Sequence, residues 1–333
     1  MSSDSEALSV PAVPPATAYT DAPSAHVTSQ HTSQHTTAPH ATTSKNATIQ
    51  HATPHRVVSI ATNLPGPLAA RRFAELGMHV TKVEPPSGDL MEHYCRAYYG
   101  ELIAGQHVCA IDLKSEDGAA ELRDLLVQAD LLLTSHRPAA LERLGLGWEQ
   151  LHAEFPQLNQ VAIVGHSGDH AAMAGHDLTY QAHAGTLDPP HMPRIPVADM
   201  AGSERAVSEG LAALLDRTHT GSGSYREVAL ADMAEHFSGP ARHGLTSNDG
   251  LLGGGIPQYG LYPALEGWVA VALLEPHFLA DGLELLGISG NREEFQRILA
   301  TKTAAEWEVF ARRHNLPLAA VREGPHAPAP GEG

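Results

Sequence analysis

Apolar residues follow two kinds of spacing along residues 56–321, and both predict regular structure. Short runs rich in Val, Ile and Leu predict buried strands at residues 56–60, 79–83, 108–112, 131–134 and 161–164. Between these runs, apolar residues three and four positions apart predict helices at residues 68–76, 118–129 and 139–144. Strands that alternate with helices favour an α/β fold, with a mostly parallel sheet covered by helices on both faces.

The second half of the chain predicts the end of the large unit and then a further, smaller α+β unit. A long helix is expected over residues 203–217, and a strand or short connector over residues 225–230. The glycine-rich stretch at residues 253–259 predicts a flexible loop. Paired strands follow at residues 260–262 and 268–273, around a turn at Glu266 and Gly267, and residues 278–321 are expected to be helical. These patterns predict a large domain at residues 55–245 and a small domain at residues 246–323.

Both ends of the chain are polar and poor in apolar clusters. Residues 1–54 are rich in Ser, Thr, Ala, His and Pro, and such a segment cannot bury enough surface to offset its ordering entropy. We therefore expect a disordered tail there, and a flexible C-terminus at residues 324–333. The N-terminus lacks the pattern of a signal peptide, and no apolar run is long enough to span a membrane. Two cysteines without metal-type spacing indicate a reducing compartment, so a cytoplasmic location is expected.

The charge balance excludes some classes of partner and cofactor. The net charge is −17, with only 21 Lys and Arg among 333 residues. No basic stripe is present to neutralise phosphates, which argues against a nucleic-acid partner. No Gly-x-Gly-x-x-Gly motif follows the first strand, which disfavours a nicotinamide or flavin cofactor. We expect neither a metal nor a redox cofactor.

The pair His176 and Asp177 is the strongest candidate for chemistry. It follows Gly175 directly and precedes an apolar, helix-like segment. Adjacent residues cannot share one helix face, so the two side chains are expected to point in different directions from a turn or a first helical turn. A His-Asp pair at such a position is often only a helix cap. Two further carboxylates, Asp199 and Glu275, make a catalytic interpretation more attractive.

Many short motifs occur in the order in which one known family carries them. They are Asn63-Leu-Pro-Gly-Pro67, Lys82-Val-Glu-Pro85, Asp112-Leu-Lys-Ser115, residues 137–147, Gly175-His-Asp177, Val197-Ala-Asp199, the Gly253 loop and Glu275-Pro-His-Phe278. On these residues the chain resembles the class III CoA-transferase family (CaiB/BaiF type), which also contains the α-methylacyl-CoA racemases. The resemblance extends from about residue 56 to residue 317.

This resemblance implies a fold, a substrate and a set of binding residues. The fold is a Rossmann-like large domain with a smaller domain, in a homodimer of two interlocked rings. The substrate is a coenzyme A thioester that binds at the subunit contact, and no cofactor is bound. The implied binding residues are the cations Lys114, Arg137 and Arg143, then Gly175 and Tyr180, and the glycines Gly253, Gly254 and Gly255 of a mobile shielding loop.

The resemblance also implies two alternative reactions. In the racemase-like reaction, His176 and Asp199 remove and return the proton beside the thioester carbonyl, Glu275 orients them, and Asp177 helps to bind the substrate. In CoA transfer, Asp177 attacks the thioester and forms a mixed anhydride. Histidine before the aspartate, and Glu275 in its Glu-Pro-x-Phe setting, favour α-proton exchange on a branched acyl-CoA.

Two interpretations outside this family of reactions remain open from the sequence. The chain is alternatively a non-catalytic acyl-CoA binder. It is also conceivable as a metal-dependent hydrolase, with His166, His170, His176 and Asp177 as ligands. The histidine pair at i and i+4 lacks the intervening glutamate of a zincin, and no Gly-x-Ser-x-Gly motif supports a serine hydrolase.

Overall fold

Six parallel strands form the main sheet of the protein. The computed structural model describes residues 54–171, 173–322 and 324. The strands are β1 (Arg56–Ser59), β2 (His79–Glu84), β3 (His107–Ala110), β4 (Leu131–Thr134), β5 (Asn159–Val164) and β6 (Tyr225–Ala229). Their order in the sheet is β3-β2-β1-β4-β5-β6, which is the order of the doubly wound Rossmann fold. The predicted parallel α/β sheet is confirmed, with strand ends that differ from the predicted ones by at most two residues.

The central strands are buried on both faces, which is why they could be found as apolar runs. Every residue of β4 and of β5 is buried. Successive residues of β4 point into opposite cores: Leu131 and Leu133 pack with Phe73 in one core, while Leu132 packs in the other. The sheet is therefore the middle layer of three.

Helices cover both faces of this sheet. The helices that follow the first five strands or precede the sixth are α1 (Pro65–Glu75), α2 (Leu90–Tyr94), α3 (Arg96–Leu102), α4 (Glu116–Leu126), α5 (Pro138–Arg143), α6 (Trp148–Glu154), α7 (Asp177–Ala184) and α8 (Val197–Thr220). The short helices α9 (Leu230–Phe237) and α10 (Gly239–Arg242) follow β6. Helices α1, α8 and α9 pack on one face, and residues of α4, α5 and α6 build the core on the other. Helix α8 is longer at both ends than the helix predicted at residues 203–217.

A second sheet, antiparallel and three-stranded, follows further along the chain. Its strands are β7 (Tyr259–Pro263), β8 (Trp268–Ala272) and β9 (Leu318–Ala320), in the order β7-β8-β9. The hairpin predicted around Glu266 and Gly267 is confirmed, and Gly267 has the positive φ of +80° that its turn requires. Helices α11 (Pro276–Leu286), α12 (Arg292–Leu299) and α13 (Ala304–His314) share one apolar core with this sheet.

The prediction that residues 278–321 are entirely helical is wrong at its end. Residues 318–320 form β9 and pair with β8, because the hydrogen bonds of the sheet compete successfully with helix formation in this short Ala-containing segment. The boundary between a large and a small domain stays a prediction. The predicted tail at residues 1–54 and the predicted flexible end at residues 324–333 lie almost wholly outside the described residues. Within the described residues, none of the helices is both long and apolar enough to cross a membrane.

Candidate active site

Two aspartates meet where the first turns of helices α7 and α8 come together. Asp177 is the first residue of α7, directly after the N-cap residue His176. Asp199 lies in the first turn of α8. Asp177 and Asp199 are 22 residues apart in the sequence. In the fold, the backbone N–H of Asp199 donates a hydrogen bond to the carboxylate of Asp177. The expectation that Asp177 lies in a first helical turn is confirmed.

The carboxylate of Asp177 is buried and fully engaged. Its Oδ1 accepts hydrogen bonds from the backbone N–H groups of Ala198 and Asp199, at 2.7 and 3.1 Å. Its Oδ2 accepts a hydrogen bond of 2.6 Å from Nε2 of Gln181, one helical turn further along α7. The first N–H groups of a helix lack partners within the helix and carry a partial positive charge. Asp177 therefore caps helix α8 from outside and fixes its first turn against α7.

The carboxyl group of Asp199 is in a different state. It is half-buried, and its oxygens make no hydrogen bond to any residue of the described chain. Burial raises its pKa to about 7, and the negative charge of Asp177 adds to this increase. At neutral pH both the protonated and the ionised form are therefore populated. Such a group can take up and release a proton without a large change in free energy.

The ring of Tyr180 fills the space between strand β5 and this acid pair. It is 3% exposed and meets the ring of His166 edge to face, with 5.2 Å between centroids. A Cβ atom on Gly175 would lie 2.4 Å from the Tyr180 ring, and one on Gly165 would lie 2.5 Å from its hydroxyl. Glycine is required at both positions because the ring packs directly on the backbone. Burial raises the pKa of Tyr180, with the charge of Asp199 as the next cause.

The two remaining predicted catalytic residues have exposed side chains. His176 is exposed, and its backbone N–H donates to Oγ1 of Thr179 at 3.1 Å. Glu275 is the exposed N-cap residue of α11. Among the described residues, its carboxylate forms neither a hydrogen bond nor an ion pair with α7 or α8. The structure thus brings together Asp177 and Asp199, and the predicted role of Glu275 stays a prediction.

A cleft of about 930 Å³ opens beyond the carboxyl ends of strands β1 to β4. Ligands of open α/β sheets bind at this edge. Two of the three predicted cationic residues, Lys114 and Arg143, line this cleft. The apolar residues Ile60, Val83 and Ile111 form its floor. The lining also includes the carboxylates Glu84, Asp112 and Glu116, so an anionic phosphate would have to bind close to Lys114 or Arg143, while the apolar floor suits a flat base.

The third predicted cation, Arg137, connects the cleft to the acid pair. It is the N-cap residue of α5 and follows His136, which lines the cleft. Its positive charge acts on Tyr180 and opposes the increase in the pKa of that phenol. The cleft and the acid pair are therefore neighbouring parts of one edge of the sheet.

The glycine-rich loop has a defined backbone conformation in the structure, and its predicted flexibility stays a prediction. Residues 251–253 form a turn of 3₁₀ helix, and the N–H groups of Gly253 and Gly255 both donate to the carbonyl of Gly250. A Cβ atom on Gly253 would lie 1.7 Å from the carbonyl oxygen of Ser247. Glycine is present here because backbone packs on backbone, and the loop is ordered by its own hydrogen bonds. Its predicted contact with substrate stays a prediction.

The suggested metal site has no counterpart in the described part of the chain. There, no three His, Cys, Asp or Glu side chains are grouped so that they could hold a metal ion. His166, one of the suggested ligands, instead packs against Tyr180. The described residues give no support to a metal-dependent hydrolase.

Comparison with known proteins decides the family. Residues 54–327 match the family model described as CoA-transferase family III. The chain belongs to this family. The resemblance drawn from the motifs is confirmed, and so is the prediction of an enzyme. Its relatives in CoA-transferase family III carry the names of both a racemase and several transferases.

Three relatives illustrate this range. The human α-methylacyl-CoA racemase is 30% identical over 283 residues, covering 75% of this chain and 72% of the racemase. Succinyl-CoA–D-citramalate CoA-transferase from Chloroflexus aurantiacus is 31% identical over 192 residues, covering 53% of this chain and 48% of the transferase. The crystal structure of a CaiB/BaiF family protein from Brucella suis has a TM-score of 0.69 at 23% identity, covering 81% of this chain and 83% of that one. The choice between the two reactions has to come from the site.

Sequence reasoning did not single out three residues that the structure places in or close to this region. Gln181, which holds Asp177, was not singled out, although a position four residues after an aspartate on a helix is a signal for such a contact. His136 was not recognised as lining the cleft, because only the fold brings the ends of four strands together. Lys82 was noted only as part of a motif, although a charged residue inside a buried strand demands a partner.

Proposed function

We propose that this chain exchanges the proton beside the carbonyl of a branched acyl-CoA thioester, in a racemase-like reaction. Asp199 and His176 are the two bases in this proposal. The observation that carries it is the state of Asp199: its carboxyl has a pKa of about 7 and no hydrogen-bond partner among the described residues. A base that must take a proton and return it works best when its pKa is near the working pH.

In this proposal Asp177 positions Asp199 and does not react itself. Its three hydrogen bonds hold the first turn of α8, on which Asp199 lies. Its charge also contributes to the raised pKa of Asp199. A nucleophilic attack by Asp177 would first have to withdraw its carboxylate from two backbone N–H groups and from Gln181. These contacts weigh against the sequence-based interpretation of Asp177 as the nucleophile of a transferase.

The cleft supports coenzyme A as the carrier of the acyl group. Lys114 and Arg143 line it and provide cations for phosphates, while its apolar floor suits the adenine ring. Arg137 follows His136 of the cleft lining along the chain, and its charge acts on Tyr180, so we propose that the pantetheine arm passes near Arg137 toward Asp199. The thioester would then lie at the acid pair, with its nucleotide in the cleft.

The proposal retains the homodimer and the cytoplasmic location expected from the sequence. In an interlocked dimer, the exposed carboxylate of Glu275 would reach the acid pair and orient it. Sedimentation analysis of the purified protein tests the dimer, and a monomer that is fully active would contradict it. Glu275→Gln should then lower the exchange rate without altering the sedimentation.

CoA transfer is the second candidate function, and the transferase relatives motivate it. In that reaction a carboxylate attacks the thioester carbonyl, CoA thiolate leaves, and a mixed anhydride forms. The sequence-based interpretation gives this attack to Asp177, whose carboxylate would have to give up its hydrogen bonds to two backbone N–H groups and to Gln181. The transferase interpretation therefore predicts a covalent adduct on Asp177.

Incubation with a 2-methylacyl-CoA in heavy water separates the two candidates. Proton exchange would incorporate deuterium at the α-carbon without a second acid present. Transfer would require an acceptor acid, and hydroxylamine would convert an acylated aspartate into a hydroxamate that mass spectrometry locates. A hydroxamate without deuterium incorporation would overturn the proposed racemase-like reaction.

A further inference from the structure

A lysine that is fully shielded from solvent lies at the end of strand β2. Lys82 is 0% exposed, and so is Asp89, which follows a turn after the strand. The Nζ atom of Lys82 donates to Oδ2 of Asp89 at 2.8 Å and also donates to Oε1 of Glu84. The hydroxyl of Tyr99 donates to the same Glu84 oxygen at 2.7 Å. We call these four residues the Lys82 cluster.

The Lys82 cluster joins three separate parts of the fold. Lys82 and Glu84 belong to β2, and Tyr99 belongs to α3. Asp89 is the N-cap residue of α2, and its Oδ1 accepts the N–H of Met91 at 3.0 Å. One ammonium group thus ties a strand, a helix and the start of another helix together.

The segment between β2 and α2 is a wall of the large cleft. The wall segment is residues 85–90, which run from the end of β2 to the first residue of α2, and it contributes Pro85, Ser87, Gly88 and Leu90 to the cleft lining. Most of the wall segment is solvent-exposed, and Asp89 is its buried residue. A turn closed by a 2.8 Å bond from the Gly88 N–H to the Pro85 carbonyl leads directly into Asp89. The contact with Lys82 is therefore the anchor that holds this exposed segment to the interior.

Stability alone does not explain a buried ion pair at this place. Removing an ammonium group from water is expensive, and apolar residues of similar size often replace buried ion pairs without loss of stability. What a buried pair does provide is one fixed geometry, since each partner must meet the other to avoid an uncompensated charge. Here the geometry that is fixed is the position of the wall segment.

We infer that Lys82 is a positioning residue for the nucleotide end of the substrate. It holds the wall segment in the place where that segment lines the cleft, and so it sets the affinity for the nucleotide of acyl-CoA. This inference rests on the proposed function, because that function places the nucleotide in this cleft. Lys82 does not touch the reacting atoms, so the chemical step at Asp199 does not depend on it.

The test compares two thioesters that carry the same acyl group. Acyl-CoA has the nucleotide, and the matching acyl-pantetheine lacks it. Lys82→Met is expected to raise the KM for acyl-CoA about tenfold or more and to leave the KM for acyl-pantetheine within about twofold. The kcat values for both substrates should stay close to those of the natural protein. An equal change in both KM values, or a change in neither, would overturn the inference.

Two further variants guard against a general loss of structure. Asp89→Asn keeps the shape and the cap of α2 but weakens the contact with Lys82, so it should raise the KM for acyl-CoA by a smaller factor. If Lys82→Met fails to fold, Asp89→Asn provides the test. An unchanged ratio of the KM values for acyl-CoA and acyl-pantetheine in Asp89→Asn would overturn the inference. Arg217→Met is the matched control. It removes a partly buried ion pair with Asp130, which lies at the amino end of β4, whereas the cleft lies at the carboxyl ends of the strands. The ratio of the two KM values should stay unchanged.

Binding measurements keep this inference separate from the proposed reaction. Calorimetry with CoA and with pantetheine needs no turnover. If the natural protein converts neither thioester, the proposed reaction fails, while a selective loss of CoA affinity in Lys82→Met would still support the positioning role. If the natural protein shows exchange but the variant binds both ligands as before, the positioning role fails alone.

Discussion

At the scale of single residues, Asp177 and Asp199 carry the same carboxyl group in two different environments. Asp177 is buried among donors, which satisfy its charge. Asp199 is half-buried beside that charge and lacks donors of its own among the described residues. In the proposed reaction, the same kind of side chain positions a helix turn at one site and accepts a proton at the other.

Asp199→Asn is expected to stabilise the fold more at alkaline than at acid pH. The pKa of this carboxyl is about 7 in the fold, against an ordinary value of 3.8. The folded state therefore binds the proton more tightly, and the stability of the natural protein falls as the pH rises between these values. Asparagine does not titrate, so its gain should reach roughly 1–2 kcal/mol near pH 8 and be smaller near pH 5. Urea unfolding measures both; an equal gain at the two pH values would contradict the raised pKa.

Asp177→Asn should shift the pH dependence of proton exchange. Asparagine keeps an oxygen for the N–H groups of α8 but removes the negative charge that helps to raise the pKa of Asp199. The inflection near pH 7 in the exchange rate should move to lower pH, yet remain above the range of an ordinary aspartate because burial persists. Asp188→Asn, which changes an exposed carboxylate between α7 and α8, is the control. An inflection that does not move would show that Asp177 has no electrostatic influence on the base.

At the scale of elements, helix α8 carries Asp199 and packs closely on its neighbours through small residues. Gly210 lies under the ring of Phe73 from α1, and Gly202 lies under Leu230 at the start of α9. Close packing of this kind fixes the helix that bears Asp199. The position of Asp199 therefore depends on contacts along the whole helix.

Gly210→Ala should destabilise the protein although alanine favours helices. The new Cβ would lie 2.7 Å from Cζ of Phe73, whose ring is fully buried in the core. We expect a loss of about 1–3 kcal/mol from overpacking, which exceeds the roughly 1 kcal/mol that alanine contributes to a helix. Gly100→Ala on α3 meets nothing within 4 Å and should instead be stabilising. Thermal unfolding of both variants checks the contrast.

At the scale of the whole molecule, much of the fold but little of the site could be predicted from the sequence. The strands of the main sheet were readable because they are buried on both faces, so Leu131 to Leu133 stand out as an apolar run. The short helices α2, α3 and α6 and the three-residue strand β9 have too few residues for a periodic pattern. The cap that Asp177 places on α8 arises only when α7 and α8 meet in the fold.

The family motifs supplied what periodicity could not. They identified Lys114, Arg143, Asp177 and Asp199 before any geometry was known, and the structure places the first two in one cleft and the last two in one contact. The motifs gave no signal for His136 or Gln181, because neither residue belongs to one of them. They also suggested a flexible role for the Gly253 loop, which stays a prediction, and the structure shows that backbone packs closely on backbone there.

Binding of the substrate should stabilise the whole protein through the cleft cations. An acyl-CoA at about 100 times its Kd should add about 2.7 kcal/mol to the free energy of unfolding. Removal of Lys114 and Arg143 together, as alanines, should weaken binding about tenfold or more and reduce this gain accordingly. Arg71→Ala, which breaks an exposed ion pair on α1, is the control. Thermal melts with and without ligand measure the gain, and an undiminished gain in the double variant would place the phosphates elsewhere.

The burial of the Lys82 cluster has a consequence for how the protein responds to ionic strength. Mobile ions screen charges that face water, such as those that would meet a phosphate, but they do not penetrate to an ammonium group with no accessible surface. Added salt should therefore lower the affinity for a nucleotide without changing the shape of the surface that would bind it. The affinity for a nucleotide would then change with the salt concentration, while the selectivity for a nucleotide over other ligands would change only with the amino-acid sequence.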